Sequence, residues 1–151
     1  MTTGTLLAIA SKPAPREPMI TLSEAEISTQ AGLEGDARGT VRRRQVTIVA
    51  REAWERACDD LGADVPWTAR RANLLVEGLD FEESRGKVLR IGPVRLEITG
   101  ETVPCARMDE AHQGLRQVLQ PHWRGGVTAR VLSTGSVRPG DPASWDPPDP
   151  A

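Results

Sequence analysis

Glycine and proline cut this chain into short pieces, and that punctuation limits the fold more than any other feature. Between the breaks lie brief apolar runs, several of them rich in β-branched residues, of strand length rather than long-helix length. Residues 5–10 (TLLAIA), 19–22, 45–50 (QVTIVA), 73–77 (NLLVE), 88–91, 94–99 and 127–132 read as strands. Gly92-Pro93 lies between two of them and signals a hairpin. Residues 11–18 hold three prolines and read as a loop, and 31–44, full of glycine and charge, read as a longer one. One segment carries a clear helical period. In Arg51–Leu61 the residues Ala53, Trp54, Ala57, Cys58 and Leu61 share a face, and Gly62 supplies the stop. A second helix is expected over 109–120, capped by Asp109 and ended by Pro121, with Leu115, Val118 and Leu119 facing the core. Gly135 and Gly140-Asp141 mark turns on either side of Val137, and the proline-rich stretch from Pro142 onward reads as a frayed tail. Many short strands with two inserted helices predict a mainly β, α+β chain: an irregular, mostly antiparallel β-barrel rather than a βαβ fold. No linker or repeat divides it, so residues 1–145 form one domain, followed by the tail 146–151.

A chain of 151 residues can bury one core without staples, and 38% hydrophobic with 26% charged residues is the balance of a folded chain. Lysine occurs only as Lys12 and Lys87, so arginine supplies 17 of the 19 cationic side chains. Arginine suits bidentate contact with phosphate or carboxylate, and a GC-rich genome would give the same bias. The scattered arginines and a pI near 5.7 leave no footprint for nucleic acid. The start of the chain lacks the basic and long apolar parts of a signal peptide, and no run approaches the roughly 20 apolar residues of a membrane span. The expected compartment is the cytoplasm, where thiols stay reduced.

The two cysteines lie in different settings. They form no CxxC pair and no Cys/His cluster, which argues against a zinc site or a disulfide framework. Cys58 falls on the apolar face of the first helix and reads as a small buried hydrophobe. Cys105 follows Pro104 in a connection between a strand and a helix, where functional groups concentrate. Arg107 and the nearby helix start place positive potential at its sulfur, which suits attack on sulfur or metal ligation. His112 and His122 read as helix-surface residues.

Around Cys105 the residues 91–109 (IGPVRLEITGETVPCARMD) resemble the cysteine-bearing segment of MOSC domains, named for the C-terminal part of molybdenum cofactor sulfurases. Three further pieces fit in order: 32–36 (GLEGD), similar to the family's Gly-Asp loop; 70–78 (RRANLLVEG), similar to its Arg-x-Asn strand entry; and 125–141 (GGVTARVLSTGSVRPGD), similar to its closing hairpin. Ala37-Arg38 stands where many relatives have a histidine, and neither the extra β-barrel domain nor the pyridoxal-phosphate domain of larger relatives is present in these residues. The resemblance implies two roles for Cys105: a thiolate that carries sulfur as a persulfide received from a donor such as a cysteine desulfurase, or a soft ligand to the molybdenum of a bound molybdenum cofactor. With the cofactor, a reductase of N-oxygenated compounds is an alternative, and a non-catalytic interaction module is another. The resemblance implies that Arg71 and Asn73 line the cofactor pocket. Arg107, Gly35, Asp36, Gly125 and Gly126 complete the expected cofactor-binding set. Pyridoxal phosphate is not expected to bind directly, since Lys12 and Lys87 lie in no recognisable Schiff-base motif.

Overall fold

Eleven strands and three α-helices follow one another in the computed structural model, which describes residues 3–14, 18–36 and 44–147. They are β1 (Thr3–Ser11), β2 (Ile20–Leu22), β3 (Ala25–Ser28), β4 (Gly32–Leu33), β5 (Val46–Ala50), α1 (Arg51–Leu61), β6 (Leu74–Glu77), β7 (Val88–Ile91), β8 (Val94–Glu101), α2 (Arg107–Ala111), α3 (Leu115–Leu119), β9 (Val127–Ser133), β10 (Gly135–Val137) and β11 (Pro142–Trp145). Seven strands close on themselves in the order β1-β6-β5-β9-β8-β7-β11, with β11 returning to β1, and β2 is appended to the far end of β1. Closure removes the unpaired edges that an open sheet would expose. β1 makes this possible by changing partner. Thr3 to Thr5 pair with β11, while Ile9 to Ser11 pair with β2 on the same side. A small second sheet, β10-β3-β4, packs against the barrel.

All pairings are antiparallel except β5 with β6, which α1 connects. That exception explains the near-continuous apolar character of these two strands, since a parallel pair under a helix is covered on both faces. Ile48, Leu74 and Val76 point into the barrel beside Leu6, Ile9, Leu96 and Ile98, while Val49 and Leu75 point out against Trp54, Ala57, Leu115 and Leu119. Each fully buried leucine or isoleucine contributes about 1.5–3 kcal/mol. β8 and β9 alternate more simply: Leu96, Ile98, Ala129 and Val131 face inward, and Glu97 and Arg130 pair outside at 2.9 Å.

The barrel and α1 match the expectation, and the hairpin at Gly92-Pro93 lies where the sequence puts it. Three features differ. The helix expected over 109–120 is two one-turn helices, broken at Gly114 with φ 93°. Asp109 does not cap a helix at its own position. Its Oδ1 accepts the backbone N–H groups of Gly114 and Arg116, at 3.2 and 3.1 Å, and so holds the start of α3. Pro142 to Trp145 are not a frayed tail but the strand that seals the barrel, with Ala143 wholly buried, and residues 148–151 of the expected tail lie outside the described residues. Asp146, counted above with the tail, is bound by Arg90 and Arg95. Finally, β3 and β4 appear where the sequence suggests no strand and a loop, burying Ile27 and Leu33 completely.

Candidate functional site

Cys105 lies in the segment that leaves β8 and enters α2, and its side chain is exposed. Two backbone bonds shape that segment: Thr102 N–H donates to Gly126 O at 2.9 Å, and Met108 N–H donates to Cys105 O at 3.0 Å. Beside it opens a cleft of about 480 Å³, lined by residues from five places in the chain. Thr47 comes from β5 and Thr128 from β9, both on the outer barrel face. Arg70, Arg71 and Asn73 come from the 3-10 turn Trp67–Arg70 and the entry to β6, and Gly125 from the turn before β9. Arg44, Arg70, Arg71 and Arg107 all contribute, and no aspartate or glutamate does among the described residues. In a chain of net charge -2 this is a local concentration of positive potential, of the kind that attracts anions.

Of the residues singled out from sequence, Cys105, Arg71, Asn73, Arg107 and Gly125 meet at this cleft. Arg71 adopts φ 64°, a left-handed turn that ends the 3-10 helix. Asn73 is 3% exposed, and its amide is engaged by the protein. Its Oδ1 accepts Thr47 N–H and Thr47 Oγ1–H at 3.0 and 3.2 Å, and its Nδ2 donates to Ala10 O and Asp36 Oδ2 at 3.2 and 2.9 Å. Gly35, Asp36 and Gly126 do not line the cleft. Gly35 makes the turn that delivers Asp36, whose carboxylate also accepts Lys12 N–H at 2.9 Å. Gly126 stands directly behind the site: a Cβ there would lie 2.2 Å from Ile48 O. Arg107 is the first residue of α2, which runs only five residues, so a helix terminus adds little to the positive field here.

Sequence reasoning missed Arg70. It is 8% exposed, with Nε donating to Gly125 O at 2.7 Å and Nη2 to Thr102 O at 3.1 Å. Nothing in the doublet Arg70-Arg71 says which side chain turns inward. The threonines were missed as well, and the Thr102 hydroxyl oxygen is buried without a hydrogen-bond partner. Cys58 is half-buried rather than fully enclosed, with its sulfur 3.7 Å from Val65 O. His112 and His122 are exposed, and His122 Nδ1 lies 3.2 Å from Glu82 Oε2. Lys12 is nearly buried, and Lys87 lies 5.5 Å from the centre of the Trp145 ring. A second cleft, of about 380 Å³, opens around Glu52, Asp80, Glu82, Arg56 and Trp123, and contains none of the expected site residues. No helix among the described residues is long and apolar enough to cross a membrane.

The fold and the sequence both have relatives. The chain is similar in structure to the YuaD protein from Bacillus subtilis, with a TM-score of 0.83 and 18% identity over 95% of each chain. It is also similar to YiiM from Geobacillus stearothermophilus, with a TM-score of 0.74 and 18% identity over 95% of this chain and 75% of that one. YiiM from Escherichia coli gives 0.71 and 18% over 95% and 70%. These likenesses show the fold. Among curated proteins no significant sequence match is found. The family model of the MOSC domain matches residues 32–144, a span that holds the barrel strands β5 to β9, most of β11, the arginine-lined cleft and Cys105, and the chain belongs to the MOSC domain family.

Proposed function

We propose that the arginine-lined cleft binds molybdenum cofactor, with the Cys105 thiol as the protein's soft ligand to the metal. The observation that carries this reading is the meeting of an exposed thiol and four arginines in one cleft of about 480 Å³, with no carboxylate lining it among the described residues. The donor set fits the group. Guanidinium forks match a phosphate, a thiolate matches a soft metal centre, and the unpartnered Thr102 hydroxyl suits a ligand's polar edge. Arg71 and Arg107 would hold the phosphate-bearing part, and Cys105 the metal. Asn73 would act indirectly, fixing the 71–73 turn and Asp36 rather than offering its own amide. When bound, the cofactor would supply the redox chemistry, and the protein the orientation and the field.

The test is purification of the protein from a host that makes the cofactor, followed by measurement of bound molybdenum and pterin. Stoichiometric amounts of both are expected. Arg71→Ala should lower retention about tenfold or more, the loss of one charge-assisted contact, and Cys105→Ser should lower molybdenum more than pterin. A protein that emerges without either, or retention that ignores both substitutions, defeats the reading.

The exposure of Cys105 favours a second reading, sulfur carriage. The Cys105 thiolate would attack the terminal sulfur of a donor's persulfide, forming one S–S bond as the donor's S–S bond breaks and the donor thiolate leaves. No outside oxidant is needed. Mass analysis after mixing with a persulfide-loaded cysteine desulfurase should show Cys105 heavier by one sulfur atom, and an unmodified Cys105 would count against it.

A further inference from the structure

The guanidinium of Arg70 touches both stems of the Cys105 segment and the turn opposite. It donates to Thr102 O on one side, approaches Met108 Sδ at 4.0 Å on the other, and donates to Gly125 O at 2.7 Å. Thr102 precedes the cysteine by three residues and Met108 follows it by three, so one planar group spans the loop at its base. The approach is close because position 125 is glycine. A Cβ there would meet Thr102 O at 2.7 Å and Arg70 Nε at 3.5 Å. Arg70 is only 8% exposed yet belongs to the cleft wall, and a buried charge acts more strongly than a solvated one.

We propose that Arg70 is a positioning residue for Cys105 and that its buried charge makes the thiol prefer partners carrying negative charge beside the reacting atom. This deepens the reading of the cleft given above, adding a specificity element and the class of small molecule that reaches the sulfur. Arginine can do both jobs because its fork holds several acceptors at fixed angles while keeping its charge. Lysine would keep the charge and lose the span. Methionine would fill similar space and lose both.

The experiment needs no cofactor, so its outcome is separate from whether molybdenum or pterin is retained. Cys105 is alkylated at one pH with iodoacetate and with iodoacetamide, and labelling is followed by peptide mapping. In each reaction the sulfur attacks the CH2 carbon, a C–S bond forms, the C–I bond breaks and iodide leaves. The two reagents differ in charge, so the ratio of their rates cancels the fraction of thiol in its reactive form. The same ratio measured on the unfolded chain is the reference. The folded protein should favour iodoacetate over that reference by about tenfold, the lower end of electrostatic focusing in a charged cleft. Arg70→Met should lower the preference several-fold and speed amide hydrogen exchange across residues 102–108. Arg70→Lys should keep the preference and still lose the exchange protection. If Arg70→Met does not fold, Arg70→Lys alone decides: wild-type protection across 102–108 overturns the positioning role. A folded Arg70→Met with an unchanged rate ratio and unchanged exchange overturns the proposal entirely.

Discussion

Two buried or half-buried polar residues and one exposed thiol set the residue-scale expectations. Cys105 is exposed and Cys58 packs partly against Trp54 and its neighbours, so access alone orders their reactivity. A neutral alkylating reagent should label Cys105 first in the folded protein and Cys58 only on unfolding. Preferential labelling of Cys58 would contradict the structure. Cys105→Ser should leave the unfolding free energy within about 0.5 kcal/mol of wild type in urea denaturation, because an exposed side chain contributes little to stability. Asn73 is the opposite case. Asn73→Ala strips bonds to Thr47, Ala10 and Asp36 at a 3% exposed site. Losing those bonds should cost about 3 kcal/mol in urea denaturation. Asn73→Asp has nearly the same shape and should cost more, since it removes the donor to Asp36 and sets two carboxylates together. An Asn73→Asp protein as stable as wild type would remove the role given to Asn73.

At the scale of elements, the turn before β9 and the strand β11 carry the sharpest expectations. Gly126 has φ 95° and faces Ile48 O at a distance no Cβ can occupy, so Gly126→Ala must push β9 away from β5. The cost should exceed about 3 kcal/mol, from a strained backbone and an overpacked contact together. Circular dichroism melts would show it, and a near-wild-type melt would mean the turn has slack. β11 is short, yet it joins β1 to β7 and carries Ala143 into the core and Trp145 onto Phe81, ring centroids 5.6 Å apart. A chain ended after Asp141 should lose cooperative unfolding, because the barrel then has two open edges. Retention of a single sharp transition would show that the remaining strands close without it.

For the molecule as a whole, the net charge of -2 and the positive cleft oppose each other. A small polyanion should therefore bind locally despite the overall sign, and binding to the native state alone raises stability by mass action. Pyrophosphate at about a hundred times its dissociation constant should add about 2.7 kcal/mol. That gain should shrink in Arg71→Ala and as ionic strength rises, since screening weakens exposed charges first. A thermal shift insensitive to both would place the anion elsewhere.

What the chain determined by itself is local. Apolar alternation marked most strands, the 3.6-residue period marked α1 to the residue, and Gly92-Pro93 marked a hairpin, because each is written within a few neighbouring positions. The lone loop cysteine and the Arg-x-Asn motif pointed to residues that do meet at one cleft. Only the tertiary structure decided the rest. Pro142 to Trp145 have little strand character of their own and become a strand because two distant edges await pairing. The helix expected over 109–120 breaks at Gly114, whose φ of 93° is not helical, and Asp109 bridges the break to the backbone of Gly114 and Arg116. Arg70 and Arg71 are chemically identical neighbours, and which one turns inward depends on carbonyls more than thirty residues away, at Thr102 and Gly125. Burial and partnership of that kind belong to positions in space, and no window along the chain contains them.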